Sequence, residues 1–164
     1  MKTWIIAVLV VLAACQRSEI VSVYTGNQAV YALTPASAYP IGGTVIFKER
    51  KDGSTSVIVQ LTGTSGEAKF PVHLHQGDIT SNGTGTLALL SPVSAKTGLS
   101  ETVISNLADE TKVTYADLLK LSAYLNVHLS DFGTESNVIL AAGNIGSNGT
   151  KMSSSSRIGL CTGK

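Results

Sequence analysis

Two alternating runs meet at Lys51-Asp52-Gly53-Ser54, and this junction limits the fold more than any other stretch. In residues 43–50, Val45 and Phe47 fall on one face and Lys48 and Arg50 on the other. In residues 55–62, Val57, Val59 and Leu61 are expected inward and Ser56 and Gln60 outward. Period-two alternation is the mark of a half-buried strand. An Asp-Gly pair between two such runs supplies the positive backbone angles of a tight hairpin turn. The chain is therefore expected to build antiparallel sheet, one hairpin at a time.

The composition agrees. Gly, Ser and Thr are plentiful, and Val and Ile recur in short runs, which favours an all-β domain with many turns. The 164 residues suffice for one domain with its own core. Charged residues make up 14% and the formal net charge is +1, which gives no footprint for nucleic acid. Aromatics at 5% are too few for a base-stacking platform. No G-x-S-x-G serine and no phosphate-binding glycine loop is present, and no nucleophile–base pair stands out.

The N-terminus reads as a targeting segment. Lys2 precedes an almost wholly apolar run from Trp4 to Ala14, too short to span a bilayer comfortably. It ends Leu12-Ala13-Ala14-Cys15, which resembles a bacterial lipobox. That resemblance implies a signal peptide over residues 1–14, cleavage before Cys15 and lipidation of Cys15. Acyl chains would anchor the mature protein to a membrane without a spanning helix. The expected location is the bacterial cell envelope, with the outer membrane first in line. An ordinary signal peptide with Cys15 near the cut is the plainer reading. A Cys15–Cys161 disulfide is the rival use of the two cysteines.

Residues 15–27 are expected to form a tether and a possible first strand, and residues 28–164 the domain proper with a polar tail. Residues 20–24 and 28–33 are candidate strands separated by Thr25-Gly26-Asn27, and residues 34–40 a loop. Residues 86–90 form a strand. Residues 91–105, with Pro92 and Gly98, are expected as a surface loop extended near 102–104. Thr114 is a candidate N-cap with Asp117 as its capping-box acid, opening one short helix that buries Leu118, Leu119 and Leu121. Residues 138–145 form the last core strand, and 147–164 a turn and a weak edge strand or frayed tail. The sequons at Asn82 and Asn148 mark surface turns.

All three histidines lie on strand-like stretches. In Pro71-Val72-His73-Leu74-His75-Gln76, alternation sets Pro71, His73 and His75 on one face and Val72 and Leu74 on the other. In residues 123–130, Leu125, Val127 and Leu129 share one face and Tyr124, Asn126 and His128 the opposite one. A fold that sets these strands side by side gathers His73, His75 and His128 on the outer wall of a barrel. Neutral imidazole suits copper and zinc, and three imidazoles can hold either with a position left open. Asn126 and Gln76 are the nearest candidates to fix the ring tautomers. The bland alternative is a strand end with polar residues facing water.

At this point the chain resembles the CHRD family, the β-domain first defined in chordin and common in bacterial secreted proteins. The matching pieces run in order over most of residues 40–148. They are Gly43-Thr44-Val45-Ile46-Phe47-Lys48-Glu49-Arg50 with Asp52-Gly53, then Val57-Ile58-Val59-Gln60-Leu61-Thr62-Gly63-Thr64. Pro71 to Gly77, Thr97 to Thr102, Thr114 to Leu119, Tyr124 to Ser130 and Ala142 to Asn148 follow. The family is similar in fold to copper/zinc superoxide dismutase, which implies a Greek-key β-barrel or sandwich. By position, His73 and His75 match the dismutase's first copper pair and His128 its late copper histidine. The dismutase's bridging and zinc histidines have no counterpart, and Asp78 or Asp131 could at most add a carboxylate.

Three functions follow as expectations. The first is an envelope lipoprotein whose domain binds one copper or zinc ion. The second is a structural or interaction domain without metal, its protein partner unknown. The third is a reduced, copper-only dismutase. The incomplete ligand set leans against an enzyme, and no catalytic residue is assigned.

Overall fold

The computed structural model describes residues 21–80 and 85–152. Residues 1–20, with the signal segment, Cys15 and the start of the tether, and also Asn82, Cys161 and the end of the tail lie outside the described residues. The described chain is a closed eight-stranded antiparallel barrel. Its strands are β1 (Tyr24–Pro35), β2 (Gly42–Arg50), β3 (Thr55–Thr62), β4 (Lys69–Gln76), β5 (Thr86–Ser94), β6 (Leu99–Ile104), β7 (Ser122–His128) and β8 (Ile139–Gly146). Around the barrel they run β1-β2-β3-β6-β5-β4-β7-β8. β4, β5 and β6 follow one another as neighbours, while β3 lies beside β6 and β7 beside β4, which makes two overlapping Greek keys. A single helical turn, α1 (Tyr115–Leu118), bridges β6 to β7. No helix among the described residues is long and apolar enough to cross a membrane.

The expected hairpin forms at the Asp-Gly turn. Arg50 and Ser54 close it through Arg50 N to Ser54 O at 3.0 Å, and Gly53 takes φ +85°, where a side chain would be strained. Asp52 Oδ1 accepts from the Ser54 amide at 3.0 Å and holds the turn from inside. Inward residues fill the barrel. Val45, Phe47, Val57, Val59, Val72, Leu74, Leu125, Val127, Leu140 and Ile145 are all buried. Tyr31 meets the edge of Phe47 with centroids 5.9 Å apart, a favoured aromatic geometry.

Several expectations are corrected. Residues 20–24 and 28–33 are not two strands: β1 starts at Tyr24 and runs on through Thr25-Gly26-Asn27 as a bulge. Glu49 holds that bulge, accepting from Thr25 Oγ1 and Asn27 Nδ2 at 2.7 Å each. β1 also continues through Thr34 and Pro35, which pair with Ala142 and Ala141 of β8. Ser56 points outward but is fully buried, because Tyr24 lies over it with its hydroxyl 3.4 Å from Ser56 Oγ and 3.0 Å from Glu101 Oε1.

The largest correction concerns residues 91–105. They are not one loop. β5 runs on to Ser94, and β6 starts at Leu99 after a turn of residues 95–98. Pro92 survives in a strand because it sits at a bulge opposite Pro71, where no ladder donor is needed.

The capping box appears as expected. The Asp117 amide donates to Thr114 Oγ1, and the Thr114 amide donates to Asp117 Oδ2 at 3.1 Å. Leu118 is buried, and Leu119 and Leu121 pack partly against the core. β8 starts at Ile139, one residue later than expected. Beyond it a turn holds Asn148, and the described part of the tail adds one bridge, Lys151 to Tyr31, with Met152 N to Val30 O at 2.8 Å.

Candidate metal centre

β4 and β7 are neighbours, and their register explains how the histidines meet. His73 faces Asn126 and His75 faces Tyr124 across the pair. His128, two residues beyond Asn126, lies diagonal to His73 on the same outward face. Val72, Leu74, Leu125 and Val127 point into the core from the same strands. Packing on the inner wall thus fixes which residues face out.

The three rings converge. The His73 and His128 centroids are 4.7 Å apart, and those of His73 and His75 5.8 Å. One nitrogen from each ring lies within 4.8 Å of the other two. A tetrahedral ion with bonds of about 2.0–2.1 Å holds its nitrogens roughly 3.3 Å apart. Small ring rotations would close that gap.

Each ring has a different support. His128 Nδ1 lies 2.9 Å from the Ser136 carbonyl oxygen. A carbonyl only accepts, so Nδ1 carries a proton, and in the neutral ring Nε2 keeps the lone pair. That Nε2 is buried and has no hydrogen-bond partner. His75 stacks on Tyr124 at 5.1 Å with 20° between the rings. Burial lowers the His73 pKa, the neighbouring His128 lowers it further, and Asp131 works the other way. Burial also lowers the His75 pKa, helped by His73 and His128 and opposed by a hydrogen bond to the Gly85 backbone. Both shifts favour the neutral ring that a metal needs.

Among the described residues, four buried side-chain polar atoms have no partner: Tyr31 Oη, Thr55 Oγ1, Ser100 Oγ and His128 Nε2. The first three are hydroxyls, and the Gly146 backbone acts on that of Tyr31. The fourth is the one ring nitrogen, and its tautomer is set by Ser136.

The chain matches the CHRD domain family over residues 20–135, more than half of its length. It belongs to that family. No curated protein and no solved structure matches it. In this CHRD domain, β8 closes the barrel beyond the matched residues.

The proposed supporting residues do not hold the rings. No hydrogen bond joins the side chain of Asn126 or Gln76 to a histidine among the described residues; Asn126 only faces His73 across the ladder. The groups that orient the rings are the Ser136 carbonyl for His128, and the Gly85 backbone and the Tyr124 ring for His75. The carbonyl comes from a 3-10 turn, Gly133–Asn137, that residue types do not announce. Tyr124 was visible in the sequence, because it shares the outward parity of His128. Asp78 is engaged elsewhere: it accepts from Asn144 Nδ2 at 2.7 Å and from the Thr80 amide at 2.8 Å. Asp131 acts on His73 but does not belong to the converging set.

Proposed function

We propose that this CHRD domain binds one copper or zinc ion through His73, His75 and His128, as the outward-facing module of a lipoprotein anchored at the cell envelope through Cys15. The observation that carries the metal reading is the convergence of the three imidazoles, with His128 Nε2 buried and without a partner. Leaving such an acceptor empty costs roughly 1–3 kcal/mol, and a metal would remove that cost. Three nitrogen ligands suit either ion. Ligand and protein would meet on the barrel's outer wall, so at least one coordination position would stay open.

The test is titration of the metal-free full chain with Cu(II) and with Zn(II), beside His128→Ala. One ion per chain in the wild type, and loss of binding in the variant, is the expected result. Equal binding by both proteins would refute the site. The lipid anchor is tested separately by membrane fractionation, where Cys15→Ala should release the protein from the membrane.

A metal-free interaction domain is the second reading. It is favoured by the spacing, since ligand atoms up to 4.8 Å apart are wider than a bound ion requires. Dismutase activity has less support: no lysine or arginine acts on the rings to draw in an anion, and Asp131 would repel one.

A further inference from the structure

A groove of about 170 Å³ is lined by His73 together with Pro71, Leu89, Leu90 and Pro92. Asp131 belongs to the same lining. We propose that this groove seats the body of a small, neutral nitrogen ligand of the azole or pyridine class, whose nitrogen takes the open position of the metal. The inference rests on the metal reading above.

Size argues for a single ring. A cavity of roughly 150 Å³ accepts a benzene-sized guest, and this groove is close to that. Its walls are preformed. Pro71 and Pro92 oppose one another at the β4–β5 bulge, where two fixed rings leave little to reorganise on binding. Leu89 faces His73 directly across the ladder and is 70% exposed, so the lip of the groove is apolar and unburied. Filling the groove would cover that leucine.

Charge argues for the ligand's class. No lysine or arginine lines the groove, and Asp131 forms no salt bridge among the described residues. A carboxylate in the lining disfavours an anionic donor such as a carboxylate or azide. It leaves a neutral nitrogen donor free to approach. The metal would then see a fourth nitrogen of the kind the three histidines already supply. Larger grooves, of about 450, 500 and 210 Å³, contain none of the histidines and offer no such pairing of donor site and apolar wall.

The experiment uses the Cu(II)-loaded full chain and follows the visible copper absorption during titration with imidazole, 4-phenylimidazole and azide. 4-Phenylimidazole should bind about tenfold tighter than imidazole, because only its phenyl ring fills the groove. Leu89→Ser should bring the two within about twofold while copper affinity is unchanged. Asp131→Asn should tighten azide several-fold and leave 4-phenylimidazole unchanged. Copper uptake with equal affinity for both azoles overturns the groove and leaves the metal reading standing. Azide binding that ignores Asp131→Asn overturns the charge argument. No copper uptake at all overturns both readings, and that step is measured first.

Discussion

The β2–β3 hairpin and the β4–β7 pair are built alike on the inside and differently on the outside. Both turn Val and Leu or Phe inward and polar residues outward. On the hairpin, outward groups find partners close by. Lys48 lies 5.3 Å over the Tyr24 ring, Arg50 Nε meets Asp52 Oδ2 at 3.3 Å, and Glu49 holds the β1 bulge. On β4–β7 the outward groups are three imidazoles at half burial, and one buried nitrogen has nothing to bind. Each pair has one buried polar atom without a partner, Thr55 Oγ1 on β3 and His128 Nε2 on β7, and only the second belongs to a group of side chains that could hold a metal ion.

The comparison can be broken first from the inside. Phe47→Ala should cost about 3–5 kcal/mol in denaturant unfolding, because it empties a fully packed site. Leu74→Ala, on the inner face of the histidine strand, should cost about 2–5 kcal/mol with or without metal. If Leu74→Ala proves harmless, the inner walls are not equivalent.

On the outside, His73→Ala should weaken metal binding at least about a hundredfold by calorimetry. Unfolding of the metal-free protein should change little. The matching change on the hairpin, Lys48→Ala, should leave metal binding as it was. A loss of binding in both would mean that the outer walls are not distinct.

The acid response sharpens the contrast. His73 and His75 have folded pKa values below the ordinary histidine value of about 6.5. For such groups the unfolded chain binds more protons, so stability rises with pH across the gap. Their contribution is present above the unfolded value and is lost as pH falls through the folded values. Metal-free protein should therefore lose stability on mild acidification, and the His73→Ala, His75→Ala double variant should lose less. Bound metal should be released only at lower pH than that, because it competes with protons for the same nitrogens. The smallest effect is expected at α1, where Thr114→Ala should cost about 1 kcal/mol in thermal unfolding and leave metal affinity unchanged.

Most of the barrel was legible because alternation and turn chemistry agree locally. The Asp52-Gly53 hairpin, the Thr114–Asp117 cap and the outward parity of all three histidines could be read from neighbouring residues. Pro92 misled because a proline usually ends a strand, and the bulge that admits it depends on Pro71, which is distant in the chain. Gly26 misled in the same way: a positive φ of 103° suits a turn or a bulge equally, and Glu49 on the next strand decides. Ser56 is buried by Tyr24, a long-range contact with no local sign. At the site, the ligands were visible and their supports were not. Ser136 acts through its carbonyl, which every residue has, so no side-chain pattern could single it out.

The ladder between β1 and β8 is short, only Thr34–Ala142 and Pro35–Ala141, and the Lys151–Tyr31 bridge covers part of what is left. Every other junction but β5–β6 is longer. A cylinder with two lightly stitched seams, β1–β8 and β5–β6, should part at one of them before it parts elsewhere. The staves that carry the imidazoles, β4 and β7, meet at neither: β8 stands between β7 and the first seam and β5 between β4 and the second, so slow breathing of the barrel would leave the rings in register.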